Sequence, residues 1–302
     1  KLYILSKSDK IIKILDLNTK KINQEINIPF KGTILAGTLK KKQLLITDGS
    51  TIYIIDTVSK KITGKFSGGM DISFMLLSPD ETKLYLLSNK ANKFKVIDLM
   101  SKSFIAEKDI LPGSVDAALT ADGGKFFIIN NSGDQSFLSI YETSSWNLLN
   151  KITIAKSPDN IDITSNGEKA FIVYKSEDSI GIVDISSSKI EMKKLGSDTD
   201  RAGPIKIKVS PKNDELYVLN LTRKEIATIK IADFVTKTRI PLEGYPNSMV
   251  LFPVETAYIY TSQINNIGKR SYYIDIIDIA NSKLLSRIQI KTSINHMAIS
   301  ED

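Results

Sequence analysis

The sequence predicts an all-β fold, a seven-bladed β-propeller with four antiparallel strands per blade. Three observations lead there. Apolar runs of four to eight residues, rich in β-branched and aromatic side chains, alternate with Asp, Asn, Ser, Gly and Lys turns. One such run recurs seven times along the 302 residues at a nearly constant interval. No segment sustains a helical apolar period over three turns.

The recurring run carries an aromatic at its second position. It reads Leu2-Tyr3-Ile4-Leu5, Leu44-Leu45-Ile46-Thr47, Leu84-Tyr85-Leu86-Leu87, Phe126-Phe127-Ile128-Ile129, Ala170-Phe171-Ile172-Val173, Leu216-Tyr217-Val218-Leu219 and Ala257-Tyr258-Ile259-Tyr260. The intervals lie between 40 and 46 residues, and only Leu45 lacks the ring. Four short strands per ~43 residues is the length of one propeller blade. Large rings repeated at one register position are expected to pack between neighbouring blades.

A second column follows about 13 residues later as two apolar residues and a carboxylate. It comprises Ile14-Leu15-Asp16, Ile54-Ile55-Asp56, Val96-Ile97-Asp98, Ile140-Tyr141-Glu142, Ile182-Val183-Asp184 and Ile276-Ile277-Asp278, with Thr228-Ile229-Lys230 as the degenerate copy. A carboxylate at a strand end accepts hydrogen bonds from the N–H groups of the following turn, so this column reads as a folding device. A third column precedes the aromatic by seven: Ser78-Pro79-Asp80, Thr120-Ala121-Asp122, Thr164-Ser165-Asn166 and Ser210-Pro211-Lys212, with Ser300-Glu301-Asp302 at the chain end.

The chain begins on an aromatic strand and ends on an inner-strand pattern, Ile294 to Ser300. The last blade is therefore expected to be composite, which covers sheet edges that would otherwise invite aggregation. The predicted blades are 32–69, 70–111, 112–155, 156–196, 203–242, 245–291, and 292–302 with 1–31, in one domain over 1–302.

These units resemble the YVTN-type repeat of bacterial and archaeal propellers: an apolar strand, Ser-Pro-Asp-Gly, an aromatic strand, then Val-Ile-Asp. The best copies are Ile72 to Asp98 and Pro204 to Asn220, and the resemblance covers essentially the whole chain. It departs in the missing Gly after Ser78-Pro79-Asp80 and in weak first and sixth units. The chain does not resemble the tryptophan-aspartate propellers, because Trp146 lies outside the repeated columns. The resemblance implies an extracytoplasmic protein, periplasmic, secreted or at the cell surface.

Composition excludes several chemistries. Zero Cys removes disulfides, thiol nucleophiles, iron–sulfur clusters and cysteine-bound zinc, and one His removes a two-histidine metal site. No metal or cofactor is expected. The net charge is +7, from 41 basic and 34 acidic residues. Only five of the basic residues are Arg (Arg201, Arg223, Arg239, Arg270 and Arg287). Because base-edge and phosphate recognition favour Arg, the 36 lysines read as solvated turns and edge protection, and nucleic acid is not an expected partner. No apolar run approaches the ~18 residues of a membrane helix. The chain opens without Met and already in strand pattern, as a mature or trimmed fragment does.

Candidate sites lie where the repeat is broken. Gly196-Ser197-Asp198-Thr199-Asp200-Arg201-Ala202-Gly203 lengthens a blade-to-blade connection, and Gln263 to Ser271 lengthens a hairpin. Both belong to the loop face that joins outer to inner strands. Rigid scaffolds bind through such loops, which nominates Asp198, Asp200, Arg201, Asn265, Asn266, Lys269 and Arg270. Aligning the inner strands gives a second set at the expected channel mouth: Ile34, Phe74, Asp116, Asn160, Lys206, Ser248 and His296. Phe74 and Asn160 join the binding candidates. Asp116, Lys206 and His296 are the only acid, cation and base in that row. No phosphate loop, nucleophile elbow or dinucleotide fingerprint occurs. The expected function is therefore non-catalytic, a scaffold binding another protein or a surface ligand. The alternative is a lactonase- or lyase-type hydrolytic propeller using Asp116, Lys206 and His296.

Overall fold

The computed structural model describes residues 1–252 and 255–300, and every regular element among them is a β-strand. The strands form seven four-stranded sheets with antiparallel neighbours, the strand content of a seven-bladed propeller. Two compact units are present: Lys1–Ile110 together with the segment from Ile288 on, and Leu111–Arg287.

The first unit contains three sheets. One joins β1 (Leu2–Ser6), β2 (Ile11–Asp16) and β3 (Lys21–Asn27) to β28 (Ile294–Ile299) in the order β28-β1-β2-β3. The next holds β4 (Ile34–Gly37), β5 (Gln43–Thr47), β6 (Thr51–Asp56) and β7 (Lys61–Ser67). The third holds β8 (Phe74–Leu77), β9 (Lys83–Ser88), β10 (Lys93–Asp98) and β11 (Ser103–Asp109).

The second unit contains four. They are β12 (Ser114–Leu119), β13 (Lys125–Ser132), β14 (Gln135–Glu142) and β15 (Leu148–Ile154), then β16 (Asn160–Ile163), β17 (Lys169–Tyr174), β18 (Ser179–Asp184) and β19 (Ile190–Lys194). After them come β20 (Pro204–Val209), β21 (Glu215–Asn220), β22 (Glu225–Lys230) and β23 (Thr236–Pro241). The last sheet is β24 (Tyr245–Leu251), β25 (Thr256–Ile264), β26 (Arg270–Asp278) and β27 (Lys283–Ile290), with β27 crossing the division at Arg287.

The composite sheet forms as the strand pattern requires. Leu2 pairs with Ile299, Tyr3 with Ala298 and Leu5 with His296. The buried Ser300 donates its hydroxyl to Thr38 O at 2.6 Å, and Asn295 donates its amide to Gly32 O at 2.9 Å. At Gly37 the sheets approach so closely that a Cβ would overlap the Ile299 carbonyl, so no other residue fits without moving backbone. Ser300 occupies its place in the third column; Glu301 and Asp302 lie outside the described residues.

All six column aromatics, Tyr3, Tyr85, Phe127, Phe171, Tyr217 and Tyr258, are buried, as is Leu45. Within the first unit Tyr3 packs with Leu35, Leu44 and Ile46 of the next sheet. Within the second, Phe127 packs with Ile161, Ile163, Ala170 and Ile172, and Phe171 with Ile207, Leu216 and Val218. Burial raises the Tyr217 hydroxyl to about 12, so it stays neutral at any ordinary pH. At Tyr3, Phe127 and Phe171 the column joins one sheet to the next within a unit, as its spacing predicts.

The carboxylate column closes turns. Asp16 Oδ1 accepts Asn18 N at 2.9 Å and Thr19 N at 2.8 Å; Asp56, Asp98 and Asp278 accept from Ser59, Ser101 and Asn281 N. Asp184 accepts Ser187 N at 2.8 Å and the hydroxyls of Ser186 and Ser187. These bonds favour the ionised form and hold the Asp184 carboxyl at about 2. A folded value below the unfolded one means that the contribution is complete above about pH 4 and is lost as pH falls toward 2. Asp184→Ala should therefore flatten the fall in melting temperature between about pH 5 and pH 2. A slope equal to that of the unmutated protein would refute the assignment.

The third column replaces glycine with a clasp. The position that resemblance assigns to Gly is Glu81 (φ 59°) in one copy and Asn213 (φ 59°) in another, both left-handed. Each spends its side chain on the preceding sheet of its unit. Glu81 Oε1 accepts Leu39 N at 2.5 Å and Oε2 accepts Lys40 N at 3.1 Å. Asn213 accepts Ser165 N at 2.8 Å and donates to Ser165 Oγ at 2.6 Å. Gly123 and Gly167 take the same backbone conformation in the copies between them. The missing glycine thus exchanges conformational ease for an inter-sheet bond.

Candidate functional site

The inner-strand alignment survives in the register. Ile34, Phe74, Asp116, Asn160, Lys206, Ser248 and His296 pair with Thr47, Leu87, Ile129, Val173, Leu219, Tyr260 and Leu5. Each partner is the residue two places after the aromatic column, so the seven are structurally equivalent. Phe74 and Ile34 are half-buried and His296 is exposed on β28 of the first unit.

Equivalence does not make them one reactive group. In the second unit Asp116 and Asn160 are both buried and bonded directly, Asn160 Nδ2 to Asp116 Oδ2. Asn160 Oδ1 accepts Ile207 N at 2.8 Å, and Asp116 accepts Ala117 N at 3.0 Å and Ile161 N at 3.3 Å. The pair is thereby spent on tying β12, β16 and β20 together. One turn of the pleat further on, Asp162 accepts Val209 N at 2.8 Å and faces the Lys208 ammonium at 3.3 Å. The charge of Asp162 raises Lys208 above the ordinary lysine range, against the cost of its desolvation, and Asp116 adds to the effect. Lys208, rather than Lys206, is the cation held by this network. The period-2 rule puts Asp162 and Lys208 on the faces of Asn160 and Lys206, so that signal was present in the sequence.

The long connection 196–203 is a pinned loop. Asp178, in the β17–β18 turn, accepts Ala202 N at 3.1 Å and Gly203 N at 2.7 Å. Gly203 sits at φ 67°, and a Cβ there would overlap the Thr222 hydroxyl. Asp200 receives Arg223 Nη2 at 2.7 Å and Nε at 3.1 Å, which lowers its carboxyl below the usual range. Asp200 is thus occupied by Arg223, while Asp198 is fully exposed and 4.0 Å from Lys194.

Arg201 is held by carbonyls instead. Its Nη2 donates to Lys175 O at 2.9 Å and Ser176 O at 2.8 Å. Beside it opens a cavity of about 400 Å³ lined by Ser157, Asp159, Lys175, Ser176, Arg201, Gly203 and Thr222. These residues come from four connections of the second unit: β15–β16, β17–β18, β19–β20 and β21–β22. Both loop classes assigned to one face therefore meet at one cavity. Lys175, Ser157 and Thr222 escaped the sequence reading because they occupy ordinary within-repeat turns.

The second insertion extends the β25–β26 hairpin to nine paired residues, out to Ile264 with Arg270. Its tip is ordered: Asn265 Oδ1 accepts Ile267 N at 3.1 Å and Lys269 N at 2.9 Å. Asn265, Asn266, Lys269 and Arg270 are all exposed. The tip end of the hairpin and the Tyr245 ring, with Lys224 4.2 Å from its centroid, frame a second cavity of about 280 Å³. The β21–β22 turn lies between the two insertions, giving Thr222 to the first cavity and Lys224 to the second.

No family model and no curated protein matches this sequence. Solved structures do match. A functionally unknown protein from Desulfotomaculum acetoxidans aligns with a TM-score of 0.74 at 16% identity, over 98% of each chain. Hydrazine synthase from Kuenenia stuttgartiensis aligns at 0.73 and 14% identity, over 96% of this chain and 92% of that one. The β-propeller domain of Cps50 (Swd1) from Myceliophteria thermophila aligns at 0.68 and 15% identity, over 87% of each. At these identities the likeness is one of fold, and with the seven four-stranded sheets it makes the chain a seven-bladed β-propeller.

Proposed function

We propose that the chain is a non-catalytic, extracytoplasmic binding propeller of the YVTN-repeat type, which engages a protein or surface ligand through the loops of its second unit. The observation that carries this reading is the Arg201 cavity. It is concave, lined by charged and hydroxyl-bearing residues, and framed by four connections, one of which departs from the repeat. The aromatic and carboxylate columns support the repeat type. The placement outside the cytoplasm rests on that resemblance. The hydrolytic alternative gains nothing from Asp116, whose oxygens are committed to Ala117, Asn160 and Ile161.

The test is a screen of an immobilised peptide library and a panel of sugars and organic acids. The variant for comparison carries Lys175→Ala with Arg201→Ala. Specific hits should appear with the unmutated protein and weaken at least about tenfold with the variant, since two charge-assisted contacts are removed. Both side chains are exposed, so the variant's melting temperature should stay within about 3 °C. Hits that persist undiminished would place the binding surface elsewhere.

A further inference from the structure

We infer that the Arg201 cavity recognises a single carboxylate, carried on an acidic side chain, a chain end or a small organic acid; this rests on the cavity being the binding site. Four observations point to it. First, the site holds cations without a carboxylate partner. Among the described residues neither Arg201 nor Lys175 has a carboxylate within ion-pair distance, whereas the neighbouring Arg223 is fully engaged by Asp200. An unpaired guanidinium beside its paired neighbour is a donor in reserve.

Second, Arg201 is oriented in advance. Its Nη2 is consumed by the Lys175 and Ser176 carbonyls, which fixes the plane of the guanidinium and leaves Nη1 and Nε to donate. A carboxylate can then take Nη1 on one oxygen and the Lys175 ammonium on the other. The cost of ordering the arginine is met before the ligand arrives.

Third, charge selects a monoanion. The lining holds Arg201 and Lys175 against Asp159, a balance of one positive charge. Asp159 is itself held in place, accepting Lys175 N at 2.7 Å. A phosphate dianion would be repelled by Asp159 and left half neutralised.

Fourth, two backbone amides beside Arg201 are closed to an anion. The two amides of the loop that would cradle phosphate, Ala202 N and Gly203 N, are already bonded to Asp178. The hydroxyls of Ser157, Ser176 and Thr222 remain to bond the rest of the ligand.

The experiment is an amide-detected NMR titration of the full chain, read at Ser176, Gly203 and Thr222. The probes are N-acetyl-Ala-Glu-Ala-amide, its Gln isostere, N-acetyl-Ala-Ala with a free carboxylate, glutarate and inorganic phosphate. The Glu peptide should give saturable shifts and bind at least about fivefold more tightly than the Gln peptide, with affinity falling as salt rises. Comparing the Glu peptide, the free chain end and glutarate identifies the source of the carboxylate. Arg201→Ala and Lys175→Ala should each weaken the Glu peptide by a larger factor than the Gln peptide. Equal binding of Glu and Gln peptides at these amides would overturn the carboxylate assignment and leave the cavity as the binding site. Tighter binding of phosphate, or no response to any probe, would also overturn it. Failure of the cavity itself would show in the library screen, as hits indifferent to the double substitution.

Discussion

Deletion of residues 295–302 should lower the melting temperature by roughly 8 °C or more, or prevent folded protein from accumulating. The segment supplies most of β28, the only partner of β1 on that side of its sheet. Met297 and Ile299 are buried there, each contributing about 1.5–3 kcal/mol, and the ladder bonds add about 1 kcal/mol apiece. Against a total stability of about 5–15 kcal/mol, a loss of about 5 kcal/mol is severe. It also leaves the β1 edge open to pairing with another chain. Gly37→Val in the full-length chain tests the same junction without removing a strand, since its side chain would displace the Ile299 carbonyl. Thermal unfolding followed by circular dichroism measures both. A truncated chain melting within about 2 °C of the full one would show that the two ends contribute nothing to stability.

The second large effect is expected from Phe171→Ala. The ring is fully buried between sheets of the second unit, against Ile207, Leu216 and Val218. Truncating such a ring costs about 3–5 kcal/mol through lost transfer energy and the cavity left behind. For a chain of this size that corresponds to roughly 5–8 °C. Met100→Ala is the control: the side chain is 94% exposed, and its removal should shift stability by less than about 0.5 kcal/mol. Equal losses from the two substitutions would remove the aromatic column from the core.

The difference between those two positions was visible without coordinates. Phe171 belongs to a column that returns every ~43 residues, and Met100 does not. The same logic exposed the carboxylate column, because an Asp at a strand end acts on N–H groups two and three residues away. The inner-strand row was equally accessible, since pairing register follows from strand spacing. Contacts between residues distant in sequence behaved differently. Nothing near Lys175 marks it as a neighbour of Arg201, and nothing near Glu81 tells that it reaches Leu39 and Lys40. Asp198, Asp200 and Arg201 look alike as loop charges, yet Arg223 occupies Asp200, and Arg201 has no carboxylate partner among the described residues.

Periodicity alone thus determined the strands, their number, the composite sheet and the two insertions, because each depends on local spacing and on one apolar column burying itself against the next. Which charges are satisfied and which remain available was decided only by the tertiary structure. Charge pairing is settled by distances of about 3 Å between side chains from different sheets, and no local pattern encodes that separation.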